Sequence, residues 1–133
     1  MNRRAIAAII GVLLVGATGL PVCAASPAPA VGCRYVIDPP TIAKTQGTTL
    51  VSSAISPSAC APTNNPSITV VCLRASSDDT GGRCASVSGA MSAYVSYPYR
   101  PGTTYTVTGS GCTASVSPSR DSCQSVGPLS VRL

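Results

Sequence analysis

Cysteine and aspartate are the residue types here whose chemistry can be read from identity and spacing. The chain carries seven cysteines, at positions 23, 33, 60, 72, 84, 112 and 123. None stands in a Cys-x-x-Cys pair, which argues against a redox dithiol and against the paired spacing of a zinc site. Histidine and glutamate are absent. General acid–base work wants a group poised near neutral pH, usually His or a carboxylate raised by its surroundings. The carboxylates are Asp38, Asp78, Asp79 and Asp121, all in stretches rich in Pro, Gly or Ser, where Asp commonly bonds nearby backbone to form turns. A Ser-His-Asp triad cannot be assembled. A Ser-Lys pair would need Lys44, which precedes a Gly turn and has no recognisable Ser motif beside it. Asp78 and Asp79 are adjacent and lack the alternating ligand spacing of a calcium loop. The expectation is a protein that is not an enzyme, with no catalytic residue, cofactor or metal.

The cysteines are explained instead by export. Arg3 and Arg4 precede an apolar run from Ala5 to Leu20, followed by Pro21 and the small-residue stretch Val22-Cys23-Ala24-Ala25. This is the three-part layout of a secretory signal peptide. The run is shorter than a membrane-spanning helix needs and ends at a helix-breaking Pro. Cleavage after Ala24 removes Cys23 and leaves six cysteines, an even set suited to three disulfides in an oxidising compartment. A lipid anchor on Cys23 would leave the same six. However, Leu20-Pro21-Val22 lacks the small residue expected just before a lipidated cysteine. The organisation expected is a signal peptide over 1–24, a Pro/Ala-rich arm over 25–32 and one domain over 33–133.

That domain is about 100 residues long, enough for one core. Its interior has to be built from Val, Ile, Leu, Ala and Tyr, because Phe and Trp are absent. Removing Arg3 and Arg4 lowers the net charge from +5 to +3, and the remaining Arg residues are scattered. A nucleic-acid surface would be denser in positive charge and interleaved with aromatics. A mildly cationic surface fits solubility better.

Alternating apolar residues and turn signals set out the elements. Cys33–Asp38 reads as a short strand closed by Pro39-Pro40, and Thr48–Ser56 follows the turn at Gln46-Gly47. Pro57–Pro66 reads as a loop. Ile68–Ala75, apolar on both faces, reads as a central strand, and Ser76–Arg83 is a turn. Ala85–Ser88 and Ala90–Tyr97 follow, the latter with Met91, Ala93, Val95 and Tyr97 on one face. The stretch Arg100–Cys112 enters a half-buried strand through a Pro-Gly corner. Thr113–Gln124 reads as a Ser-rich loop, and Leu129–Leu133 as a final strand with three apolar residues inward. About seven short strands and no amphipathic helix predict a small, disulfide-stabilised antiparallel β-sandwich.

Six cysteines allow many pairings. Position favours Cys112–Cys123 across the Ser-rich segment, Cys72–Cys84 across the SSDDTGG turn and Cys33–Cys60 by elimination. Pro101-Gly102-Thr103-Thr104-Tyr105-Thr106-Val107 resembles the corner at which immunoglobulin-like and fibronectin type III-like domains enter their penultimate strand. The resemblance implies a tyrosine corner, in which the Tyr105 hydroxyl bonds back to nearby backbone. An immunoglobulin-type bridge would instead join Cys72 to Cys112. The whole chain also resembles the small Ala/Ser/Thr-rich secreted proteins of actinobacteria.

Two regions are candidates for binding. Tyr94, Tyr97, Tyr99 and Arg100 lie close together, and Tyr and Arg are common anchors at protein and carbohydrate surfaces. The competing use of these Tyr residues is to fill the core, which leaves Tyr99-Arg100 as the exposed pair. The second region is Thr113–Ser122, where a constrained loop presents Arg120 as a protease inhibitor would. The function expected is a secreted, non-catalytic binding or interaction module of the cell envelope or extracellular space. Its partner would be a protein or an envelope carbohydrate, and it would need no nucleic acid and no transmembrane helix in the mature protein. The alternatives are a small disulfide-rich protease inhibitor or a lipid-anchored envelope protein.

Overall fold

The computed structural model describes residues 29, 31–116 and 119–133, with side chains for 29, 31–115 and 121–133. The leader expected over 1–24 and most of the arm expected over 25–32 lie outside the described residues. Eight strands form: β1 Cys33–Ile37, β2 Thr41–Thr45, β3 Thr48–Cys60, β4 Asn64–Ala75, β5 Arg83–Ser88, β6 Ala93–Pro98, β7 Thr104–Val116 and β8 Ser119–Arg132. There is no helix among the described residues. In the first sheet, β1 and β2 lie end to end along one side of β3, and β6 lies along the other. The second sheet has the order β5-β4-β7-β8, and every pairing is antiparallel. The two sheets face each other across the core, as a disulfide-stabilised β-sandwich.

Pro39-Pro40 closes β1, as expected, and β2 takes up the same edge of β3, whereas other strands run past their prolines, each for a local reason. Asp38 N–H still donates to Ala54 O at 2.9 Å, and pairing resumes at Thr41 opposite Ser52. On an edge strand a missing N–H costs the ladder little. The β2–β3 turn is Gln46-Gly47, with φ of 49° and 78°, the positive values a two-residue type I′ turn requires. The expected loop at 57–66 shrinks to residues 61–63. Pro57 stands opposite Tyr35 beside a register shift, and Pro66 stands beside another. Bulges are where a strand tolerates proline. The stretch expected as a loop, 113–124, is instead strand up to Val116 and again from Ser119, with Thr113 opposite Ser122 and Ser115 opposite Arg120. Backbone pairing to β8 on one side and to Asn64–Pro66 of β4 on the other holds it. β6 begins at Ala93, leaving Met91 exposed, and Leu129 on the edge strand β8 is also exposed rather than turned fully inward.

The core is built on Val51, Ile55, Val71, Leu73, Tyr105 and Val107, all fully buried. Without Phe or Trp, three tyrosines fill the interior, and Tyr35 and Tyr97 are nearly as buried as Tyr105. A buried phenol needs a hydrogen-bond partner, and these hydroxyls find one. Tyr35 donates to Cys112 O at 2.7 Å, and Tyr105 donates to Pro98 O at 2.9 Å. Two glycines of β7 make room for the facing sheet. A Cβ on Gly111 would run into the ring of Tyr35, and one on Gly109 would come within 2.7 Å of Ile55 Cδ1. Such close approach is the reason for glycine inside a strand.

Cys33–Cys60, Cys72–Cys84 and Cys112–Cys123 are bridged. Each pair is directly opposed in register, with Cα atoms 4.0 Å apart. Every bridge therefore ties neighbouring strands of one sheet, and none joins the two sheets. Cys72 could not reach Cys112 in this register. Cys72 stands opposite Thr108 and Cys112 opposite Ile68, an offset of four residues, roughly 13 Å along the strands.

Two outcomes test this packing. Gly111→Ala is expected to destabilise the domain by roughly 1–3 kcal/mol through overpacking. At about 4–8 °C per kcal/mol this is readable by thermal melting. In a Tyr35→Ala background the same substitution should cost close to nothing, because the ring it strikes is gone. Thr69 is fully buried, and its hydroxyl has no hydrogen-bond partner among the described residues. Thr69→Val keeps the shape and removes the unpaired group, so a gain of about 1 kcal/mol is expected in a urea titration.

Candidate functional site

The Pro-Gly corner positions the first group of polar residues. Tyr105, one residue into β7, donates to Pro98 O and accepts the Arg100 N–H at 2.7 Å. Its hydroxyl thereby clamps the turn between β6 and β7. Tyr97 lies edge-on to Tyr105, with ring centroids 6.3 Å apart. The Tyr97 hydroxyl donates to the Asp78 carboxylate, and Arg100 pairs with Asp78 at 3.4 Å while reaching Ser77 Oγ at 3.3 Å. The Arg83 guanidinium sits 5.5 Å from the centre of the Tyr97 ring. Ser76 N–H donates to Thr104 O at 2.9 Å. The β4–β5 turn is thus stitched to the β6–β7 turn. Asp78 has its pKa lowered, first by the Tyr97 hydrogen bond, with the charge of Arg100 adding to it against desolvation. Tyr97 is raised by the same contact, because the neighbouring carboxylate opposes a phenolate.

These partners already use Asp78, so the cluster reads as a clasp between two turns. Strand alternation also breaks up the Tyr/Arg group expected as one patch. Tyr97 points into the core, Tyr99 is half-buried against it, and Arg100 is exposed but engaged with Asp78. Tyr99 and Arg100 therefore do not form an exposed pair. Tyr94 alone faces outward, with 71% of its surface exposed. Arg120 stands on β8, paired with Ser115, and its side chain lies outside the described ones. Lys44, Asp79 and Asp121 are exposed. No group of three or more metal-ligating side chains converges among the described residues.

Tyr94 borders a cleft on the outer face of the first sheet, with Asp38, Pro39, Thr41, Ser52 and Ala54. Its volume, about 450 Å³, falls in the range of small-ligand sites. Tyr94 stands opposite Ala54 across the β3–β6 ladder, and Ser52 opposite Ser96. The ring is therefore flanked by small side chains. The interruption at Pro39-Pro40 supplies the other wall. Asp38 has its backbone tied down on both sides. Its N–H donates to Ala54 O, and its carbonyl accepts from Ser53 Oγ. Its side chain makes no hydrogen bond or ion pair among the described residues. Sequence reasoning placed Asp38 at the end of the first strand as a turn-forming residue, and gave Thr41, Ser52 and Ala54 no binding role. The signals available were the Pro-Pro break inside a β pattern and the small residues alternating along β3.

The chain matches no family model, no curated protein and no solved structure. The bridged cysteines fit an oxidising compartment. Among the described residues no helix is long and apolar enough to cross a membrane.

The clasp has a pH signature. A carboxyl whose folded pKa is depressed stabilises the fold fully above its ordinary value, near 3.8. That contribution is lost as pH falls through the lower folded value. Unfolding midpoints measured from pH 6 to pH 2 are expected to fall more steeply below pH 3.8 in the wild type than in Asp78→Asn. Superimposable acid limbs would remove the carboxylate from this role.

Proposed function

We propose that this is an exported, non-catalytic binding module that meets its partner in the cell envelope or extracellular space through the outer face around Tyr94. The observation that carries the reading is the contrast among the tyrosines. Tyr35, Tyr97 and Tyr105 are buried with their hydroxyls bonded, whereas Tyr94 is spread on the surface beside a cleft. A ring with most of its surface exposed contributes little to packing, and such rings are frequent anchors of contact surfaces. The N-terminal sequence pattern and the three bridges support export. The lack of His and Glu, and the engagement of Asp78 by Tyr97 and Arg100, support a non-catalytic role.

An immunoglobulin-like or fibronectin type III-like relationship is part of the same proposal. It is supported by the three-against-four arrangement of strand positions and by Tyr105 at the start of the penultimate strand, bonded to backbone on both sides of the turn. The relationship concerns architecture, since such folds carry many unrelated functions. The inhibitor reading has less to rest on, because the segment around Arg120 is a paired strand rather than an extended loop.

The test is retention of the oxidised domain on isolated envelope from the producing organism. Tyr94→Ala is expected to weaken retention at least about tenfold, the scale of an interface anchor. Its melting temperature should move by no more than about 4 °C, as for an exposed substitution. Undiminished retention by Tyr94→Ala would remove this face as the contact.

A further inference from the structure

Resting on the reading of the Tyr94 face as the contact, we propose that its ligand is a neutral saccharide. A sugar ring stacks on Tyr94, and one or two of its hydroxyls donate to the Asp38 carboxylate. The cleft is lined by one aromatic ring, one carboxylate, Thr41, Ser52 and Ser53, the last with its hydroxyl donating to Asp38 O, and the small apolar surfaces of Pro39 and Ala54. Among the described residues no Lys or Arg lines it. An anionic ligand would therefore meet only Asp38, with no compensating cation. A cationic ligand would be met by Asp38 but repelled by the whole domain, whose net charge without the leader's Arg3 and Arg4 is +3. A neutral molecule rich in hydroxyls escapes both penalties.

The groups present match that chemistry. A carboxylate accepts at both oxygens and bonds hydroxyl donors more strongly than a neutral acceptor does. Asp38 offers one whose side chain is unengaged among the described residues and whose backbone is held by Ala54 and Ser53. Little rearrangement is then needed on binding. The C–H face of a sugar ring is apolar and covers an aromatic ring, while its edge hydroxyls remain free to bond. Tyr94 is mounted on β6, a paired strand, opposite Ala54. A ring seated there can approach flat, because neither Ala54 nor the neighbouring serines rise beside it. Thr41 and Ser52 are paired across β2 and β3; Thr41 Oγ1 donates to Ser52 O at 3.5 Å and keeps acceptor lone pairs, while the Ser52 hydroxyl can donate and accept at the cleft wall.

The experiment is an NMR titration of the oxidised domain with a panel of neutral oligosaccharides (gluco-, manno-, galacto- and arabino-oligosaccharides), with a Lys-rich peptide and a uronic-acid oligomer as charged probes. At least one neutral sugar is expected to shift amides at Asp38, Thr41, Ser52, Ala54 and Tyr94. Tyr94→Phe should bind within about threefold of wild type, because stacking survives. Tyr94→Ala and Asp38→Asn should each weaken binding about tenfold or more. Sugar binding unchanged in both variants would overturn the proposal. So would a response confined to the Lys-rich peptide or to the uronic-acid oligomer. If no neutral sugar binds while envelope retention still depends on Tyr94, the saccharide assignment falls and the contact face stands. If retention is independent of Tyr94 as well, both fall.

Discussion

A core with no Phe and no Trp has to use tyrosine for bulk, and each buried ring brings a hydroxyl that cannot be left unpaired. Most of the architecture follows from how that constraint is met. Tyr35, Tyr97 and Tyr105 each insert a ring between the sheets and deliver the hydroxyl to a polar partner. The partners are the carbonyl of Cys112, the carboxylate of Asp78 and the carbonyl of Pro98. Each bond holds a segment that the apolar contacts alone would not. Tyr35 ties β1 to the middle of β7 in the other sheet. Tyr97 draws the β4–β5 turn over the end of the sandwich, and Tyr105 closes the β6–β7 corner on itself.

Glycine and cysteine complete that arrangement from opposite directions. Gly109 and Gly111 remove volume from β7 so that Ile55 and the Tyr35 ring can lie against its backbone. The disulfides act within sheets, each joining directly opposed residues of neighbouring strands. Cohesion between the sheets is therefore left to apolar packing and the tyrosine bonds, while the bridges limit how far paired strands can separate in the unfolded chain. A light core is compensated in that way.

The candidate site is a by-product of the same framework. Strand alternation that sends Ala93, Val95 and Tyr97 inward sends Tyr94 outward. A proline pair that would disrupt a central strand is tolerated at an edge, where it opens one wall of a cleft. The exposed ring and the small residues beside it lie on paired strands, and Asp38 lies in the short break between β1 and β2 with its backbone bonded to β3. A surface contact there would be presented rigidly, without a mobile loop.

Much of the fold was legible in the residues themselves. The alternation in Ala93–Tyr97 and in Thr104–Val107, together with the turn signals at Gln46-Gly47 and SSDDTGG, marks strands and hairpins because those patterns are local. Six cysteines over residues 33–123, with no Cys-x-x-Cys pair among them, mark a bridged domain for the same reason. What the residues could not show depended on pairing. The Ser-rich stretch from Thr113 to Gln124 has little apolar pattern and is held by backbone bonds to strands on both sides. Pro57 and Pro66 read as loop residues until register shifts in their partners provide places for them. Tyr94, Tyr97 and Tyr99 are the same residue type within six positions. Only the packing of two sheets decides that one lies on the surface, one in the core and one between. Asp38 and Tyr94 are 56 positions apart, and their meeting across β3 is a property of the sheet alone, because nothing local in either segment refers to the other.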